Sequence, residues 1–292
     1  MANANGNNEY KSDVFSMLLQ EKWRALEVYN AINGTAYDDP EQVELTTLEN
    51  RSFSLTVRND ASFILDADLS LYEHQSTYCP NMPLRDLFYF ASIIQKQIHS
   101  QKRDLYGKTL VKIPVPHFVV FYNGKDHAPE HYTLRLSDAF EREIDAPEIE
   151  LVCHVYNINQ GNNTELLTKC STLREYMYFV DLVREYHNKN EFSNLEDAIH
   201  QAIEQCIKEN VLRDFLVEHR AEVTHMMTLD FTFERRLELQ REEAMEEVRR
   251  ELIRKKMQKK KSLEQIADEL EETVDTIRPL YERVQAELVT QK

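Results

Sequence analysis

The stretch Asp60-Ala-Ser-Phe-Ile-Leu-Asp-Ala-Asp-Leu-Ser-Leu-Tyr-Glu-His-Gln75 decides the reading of this chain. Two short apolar runs lie on either side of Asp66-Ala67-Asp68, a pattern that predicts a β-hairpin with Asp66 and Asp68 as turn residues. A turn centred between Asp66 and Ala67 sets Asp60 opposite Glu73. Cross-strand partners point to one face, and alternate residues of a strand share a face. Asp60, Glu73 and Gln75 therefore converge at the open end of the hairpin, while His74 points the other way and is read as packing or solvated. Two carboxylates and an amide at strand ends suit a hard cation such as Mg²⁺, which takes oxygen ligands and activates water for attack on a phosphodiester. The plainer alternative makes Asp60 the start of a strand and Glu73 a solvated edge residue.

Outward from the hairpin, Leu84, Leu87, Phe88, Ala91, Ile94 and Ile98 recur at helical spacing and predict an amphipathic helix from Met82 to about Ser100. His117 to Tyr122 reads as a buried strand ended by Asn123-Gly124, and Tyr132 to Leu136 and Leu151 to Tyr156 as further strands. On the N-terminal side, Asp13 caps one helix whose face carries Phe15, Leu18, Leu19, Leu26 and Tyr29, and Gly34 ends it. From Leu173 onward the pattern is helical; the stripe Leu195, Ala198, Ile199, Ala202, Ile203 and Cys206 reads as plain core. Strands followed by helices give a mixed α/β domain over residues 1–230. A charged helical linker follows over 231–261, with a thin seam that includes Leu237 and a basic cluster from Arg254 to Lys261. Residues 262–292 form a small helix-turn-helix-like tail opened by the capping box Ser262-Leu-Glu-Gln265, its second helix capped by Thr273 or Asp275 and interrupted by Pro279.

Hydrophobic content of 42% and charged content of 29% are those of a globular protein with a real core. No apolar run approaches a membrane span. The polar start Met1 to Asn8 carries no secretory pattern, so the expected location is cytoplasmic. Cys79, Cys153, Cys170 and Cys206 show no C-x-x-C pairing, so they read as reduced thiols and not as a zinc or disulfide framework. With only 5 Gly there is no glycine-rich phosphate loop, which argues against a nucleotide-dependent metabolic enzyme. The formal net charge of −16 requires any phosphate-binding surface to be a local positive patch.

Arg58-Asn-Asp-Ala-Ser-Phe-Ile64, Tyr72-Glu-His-Gln-Ser-Thr77 and Pro80-Asn-Met-Pro-Leu-Arg85 closely resemble segments of the recombination-promoting nuclease/transposase family, within the PD-(D/E)XK nuclease superfamily. The resemblance continues at Phe118-Val-Val-Phe-Tyr-Asn-Gly124, at Tyr156-Asn-Ile-Asn159 and from Ala198 to Cys206, and covers roughly residues 12–230. It implies a restriction-endonuclease-like core, a mixed central sheet flanked by helices, with a helical C-terminal extension. It also implies an Mg²⁺-dependent (or other divalent-cation-dependent) endodeoxyribonuclease of low sequence specificity, acting in recombination, mobile-element activity or defence. Asp60 and Glu73 take the places of the motif's metal-binding acids, and Gln75 stands where the superfamily has Lys. A glutamine can hydrogen-bond an attacking water but cannot help deprotonate it. The superfamily often adds an acid from the first helix, and Glu27 is the candidate third metal ligand.

For DNA, Arg85, Tyr89, Ser92, Lys96 and His99 fall on one stripe beside the apolar face of the 82–100 helix, and Lys102, Arg103, Lys108 and Lys112 extend it. This stripe is the expected phosphate track, with Arg85 nearest the scissile group, against the plainer reading of a solvated helix face. The tail helices carry too many acids to read DNA, so they suit self-association into a homo-oligomer or protein contact; the basic cluster before them could touch DNA independently. Two rival readings are a non-catalytic DNA-binding protein on the nuclease fold and a protein-interaction module.

Overall fold

The computed structural model describes residues 13–46, 59–188, 195–259 and 261–290. Arg58 and the side chains of Asp13 and Leu237 lie outside the described parts. The chain divides into two compact units, residues 1–230 and 231–292.

The first unit opens with two helices where the sequence predicted one, α1 (Asp13–Gln20) and α2 (Lys22–Asn33). The break is at Glu21, whose backbone is extended (φ −76°, ψ 108°). Its carboxylate accepts hydrogen bonds from Trp23 Nε1 at 2.8 Å and Arg24 Nε at 2.9 Å at the start of α2. Gly34 ends α2 in the left-handed region (φ 66°), donating its N–H to Asn30.

A six-stranded mixed sheet forms the centre, built from β1 (Glu44–Leu45), β2 (Ala61–Leu65), β3 (Asp68–Gln75), β4 (Val115–Tyr122), β5 (His131–Arg135) and β6 (Val152–Asn157). Their spatial order is β1-β2-β3-β4-β6-β5. The first three strands are antiparallel neighbours, β3, β4 and β6 run parallel, and β5 returns antiparallel to β6. Parallel pairing of β3 with β4 requires a crossover, which α3 (Met82–Ser100) supplies. Where β3 and β4 end, a Cβ on Gly124 would come within 2.5 Å of the Ser76 carbonyl oxygen, so a glycine is needed at this approach. Helices α4 (Thr164–Lys169), α5 (Ser171–Asn188), α6 (Leu195–Lys208), α7 (Arg213–Glu218) and α8 (Arg220–Gln258) follow.

The two faces of the sheet carry different cores. Leu69 and Leu71 of β3 and Phe118, Val120 and Tyr122 of β4 pack with α3 in one cluster. The alternate residues meet α1, α2 and α5 through aromatic contacts: Phe15–Phe121 at 5.5 Å, Tyr29–Phe63 at 6.2 Å and His74–Tyr176 at 5.5 Å between ring centroids.

Helix α3 spans the predicted range but is rotated from its predicted orientation. Leu84, Phe88 and Ala91, expected inside, are exposed, whereas Met82, Asp86, Tyr89 and Ile93 are buried. Leu87, Ile94 and Ile98 of the predicted stripe do pack into the core, so the apolar period found part of the inward face; it missed the side of that face that carries Asp86, bonded to Cys153, and Tyr89, bonded to Arg85.

In the second unit, Ile253 near the end of α8 packs with Ile266 and Ala267 of α9 (Leu263–Glu269) and Ile277, Leu280 and Val284 of α10 (Val274–Thr290). The capping box forms: Ser262 Oγ accepts from Gln265 N at 3.3 Å and Gln265 Oε1 from Ser262 N at 3.0 Å. Thr273, not Asp275, caps α10, accepting from Thr276 N at 3.2 Å. Pro279 lies inside α10, where its missing N–H withdraws the usual donor to the Asp275 carbonyl. Much of the basic cluster is paired: Lys256 and Lys261 meet Glu269, and Arg254 and Lys255 meet Glu251. No helix among the described residues is long and apolar enough to cross a membrane.

Candidate functional site

The hairpin register carries the site. Leu65 pairs with Asp68 and Ala61 with Tyr72, and one more step along the ladder sets Asp60 opposite Glu73. The contact is direct: Asp60 N–H donates to Glu73 Oε1 at 3.1 Å, and His74 N–H donates to Asp60 Oδ2 at 2.7 Å. Ser16 Oγ of α1 donates to the Asp60 carbonyl, anchoring this end of the hairpin. Asp60 is partly exposed, while Glu73 is only 1% exposed.

Glu73 lies on the α3 face, in line with Leu69 and Leu71. Arg85, in the first turn of α3, reaches back to it, Nη2 to Oε2 at 3.2 Å. The guanidinium also donates to the Tyr89 hydroxyl at 2.9 and 3.1 Å and to Met82 Sδ at 3.2 Å. Burial works against the Arg85 charge, but Glu73 more than offsets it and holds the group firmly protonated. Arg85 is thus built into the carboxylate cluster. Tyr89, expected on the exposed phosphate stripe, is buried and serves as an acceptor for Arg85.

Asp86 escaped the sequence reading. It follows Arg85 on the inward stripe of α3, is 1% exposed, and its Oδ2 accepts the Cys153 thiol of β6 at 3.0 Å. Its Oδ1 is buried and, among the described residues, has no hydrogen-bond partner. Burial, then the charges of Asp60 and Asp86, push Glu73 well above the usual carboxylate range, with Arg85 and the Asp60 N–H pulling the other way. Burial likewise pushes Asp86 up to about 7, opposed by the Cys153 bond and Arg85 and reinforced by Asp60. Three carboxylates therefore feel one another beside the Arg85 guanidinium. The signal that could have exposed Asp86 is an acid in register with Met82, Tyr89 and Ile93, at i+4 and i+7 spacing along one stripe.

Gln75 shares the Glu73 face and is 9% exposed. His74 points to the opposite face, stacked on Phe15 with centroids 5.4 Å apart and its Nε2 3.3 Å from the Tyr176 hydroxyl. It is a packing residue.

Glu27 is engaged elsewhere. Its Oε1 accepts from Ser171 N at 2.8 Å and Ser171 Oγ at 2.7 Å; its Oε2 accepts from Thr172 N at 2.9 Å and Thr172 Oγ1 at 2.6 Å. It ties α2 to the N-terminus of α5, against the sheet face that carries Tyr72 and His74, away from the face of Glu73. Burial raises its pKa, but these four bonds outweigh that and leave it lowered. Its geometry is that of a structural clamp.

Of the remaining expected DNA contacts, Lys96, Lys102 and Arg103 are exposed, Arg103 donating to the Lys112 carbonyl at 2.7 Å. From Arg85 to Lys96 is ~16 Å along α3 at the usual rise per residue.

Among the described residues, no group of three or more His, Cys, Asp or Glu side chains is already arranged to hold a metal ion. The chemistry of the cluster nevertheless suits a hard divalent cation. Its donors are oxygens, the acids repel one another, and Asp86 Oδ1 lacks a donor among the described residues. In comparisons with known proteins, no protein-family model, no curated protein and no solved structure matches the chain.

Proposed function

We propose that the chain is an Mg²⁺-dependent DNA endonuclease of low sequence specificity, with Asp60 and Glu73 as its metal-binding acids. The observation that carries this reading is the hairpin register, which sets the two acids against each other beside Arg85 while burial and neighbouring acids raise the Glu73 pKa. Perturbed, mutually coupled carboxylates concentrate at functional sites. The mixed central sheet flanked by helices is also in keeping with the restriction-endonuclease-like core that the resemblance implies. The family resemblance of the Glu73 to Arg85 segment adds the setting: recombination, mobile elements or defence.

When bound, the cation would polarise the phosphodiester and lower the pKa of an attacking water. Asp60 and Glu73 would hold it. Gln75, one step along the Glu73 face, would orient the water through its amide, without taking its proton. Arg85 would steady the Glu73 carboxylate and lend positive charge toward phosphate, Tyr89 would fix the Arg85 fork, and Lys96, Lys102 and Arg103 would track the backbone along α3. The rival reading, a non-catalytic binding protein on the same fold, is favoured by the lack of a ready-made metal cluster among the described residues.

The test is supercoiled plasmid with Mg²⁺, cut by the parent and by Asp60→Ala and Glu73→Ala variants. Nicking by the parent alone supports the reading. A parent inert with several divalent metals favours the binding protein, and variants that cut as well as the parent place the site elsewhere.

A further inference from the structure

Between α3 and β4 the chain runs from Gln101 to Pro114 without helix or strand, yet this loop is closed at its base. Arg103 Nη1 donates to the Lys112 carbonyl at 2.7 Å, and Arg103 N to the Ile98 carbonyl at 3.0 Å. Lys102 turns the chain out of α3 in the left-handed region (φ 51°). A compact loop whose ends are tied in this way is an Ω-loop, a form that often carries function. Asp104, the one acid of the segment, is used in the turn, its Oδ1 accepting from Tyr106 N at 2.9 Å.

The loop displays what the rest of this acidic chain hides. Tyr106 is 98% exposed, Leu110 82% and Leu105 62%. They alternate along the chain with Lys102, Lys108 and Lys112, all exposed, none of which meets a carboxylate among the described residues. In the second unit, by contrast, Lys256 and Lys261 are paired with Glu269, and Arg254 and Lys255 with Glu251. Exposed apolar groups gathered in one place mark an interaction site, and cations among them call for an anionic partner. A single strand of nucleic acid offers both complements, phosphates for lysines and unpaired bases whose flat faces stack on a tyrosine. In a duplex those faces are already stacked on one another. An anionic bilayer is a wide plane, which would bring other parts of a chain of net charge −16 within a screening length of ~8 Å. A strand can touch the loop alone.

We propose that this loop is a single-stranded-DNA contact, with Tyr106 stacking on an unpaired base and Lys102, Lys108 and Lys112 on the adjoining phosphates. That the nucleic acid is DNA rests on the nuclease reading above. Val115, at the foot of the loop, pairs with Asp68, five residues before Glu73 on β3, so the contact stands ~17 Å along the strand from that acid. Lys96 on α3 lies between the loop and Arg85 in the chain and continues the track.

The test uses the full chain in EDTA, with a fluorescein-labelled single strand and the duplex of the same sequence read by anisotropy. The parent is expected to hold the single strand more tightly than the duplex. Tyr106→Ala should lower single-strand affinity by about tenfold, keep the salt-dependence slope and melt with the parent, while Tyr106→Phe retains the affinity. Lys108→Ala should reduce that slope by about 1. Parent-like single-strand affinity in Tyr106→Ala overturns the proposal, and nicking of plasmid by that same parent leaves the nuclease reading in place. A tenfold loss in Tyr106→Ala, in a parent that cuts no plasmid, keeps the contact and removes the nuclease reading. Equal losses on single strand and duplex overturn the assignment to unpaired bases. A parent that ignores both DNAs but binds phosphatidylserine vesicles through Tyr106 overturns it in favour of a membrane surface.

Discussion

Glu27 and Asp86 are both carboxylates drawn into the first unit, and they meet opposite fates. Glu27 lies between α2 and α5 and receives four donors, two backbone N–H groups and two hydroxyls. Asp86 lies on the other side of the sheet, receives one thiol, and shares its surroundings with Glu73 and Asp60. The first arrangement lowers a pKa and the second raises it. The carboxylate that ties two helices together is given its donors; the one on α3 is left short of them, at a cost in stability.

The comparison can be broken most forcefully at Glu27. Glu27→Ala strips four bonds from the start of α5 and is expected to destabilise the fold by about 3 kcal/mol, read by urea denaturation, with little change in Mn²⁺ affinity once the protein is folded. A loss of metal binding in a folded Glu27→Ala protein would return this residue to the site.

The pH dependence should separate the two acids by sign. Glu27 has a lowered pKa, so its contribution is present above the ordinary value of 4.5 and is lost as pH falls through the folded value. Asp86 is raised from 3.8 to about 7, so the folded state binds the extra proton between these values. Its penalty is absent below pH 3.8, grows as pH rises through that window, and is complete above about 7. Metal-free parent should therefore lose stability from pH 5 to pH 8 relative to Asp86→Asn. Parallel pH profiles for the two proteins would contradict the raised pKa.

A smaller effect is expected at fixed pH. An asparagine at 86 can accept the Cys153 thiol through its carbonyl and offer its NH₂ toward the neighbouring acids. Asp86→Asn should thus be about 1 kcal/mol more stable than the parent at pH 8, seen as a higher midpoint in urea with an unchanged slope. The smallest changes belong to the exposed lysines on and just after α3. Lys96→Ala and Lys102→Ala should each reduce the salt-dependence slope of DNA binding by about 1 and leave stability untouched. An unchanged slope would move the phosphate track off this helix.

These two acids also mark where sequence was informative. The Asp60–Glu73 pairing was legible because strand alternation and a short turn admit few registers, and both are local. The range of α3 was legible for the same reason, and its inward face only in part: Leu87, Ile94 and Ile98 pack inward as expected, whereas Leu84, Phe88 and Ala91 do not. Asp86 could not be placed inward from local spacing, since its partner Cys153 lies 67 residues away. Glu27 was visible as an acid beside an apolar face, but its partners lie 144 and 145 residues further on. Tyr89 was assigned to the phosphate stripe because it falls in line with Arg85, Ser92, Lys96 and His99, yet it is buried and its hydroxyl accepts from Arg85.

The most direct measurement pairs stability with cleavage in one conservative variant, Glu73→Gln, which keeps the side chain's shape and removes its charge. The metal-free variant is expected to unfold at the same or higher urea concentration than the parent at pH 8, while failing to nick supercoiled plasmid in Mg²⁺. A Glu73→Gln protein that is less stable and still cuts would show that Glu73 is a structural acid, and that the hairpin does not carry the chemistry.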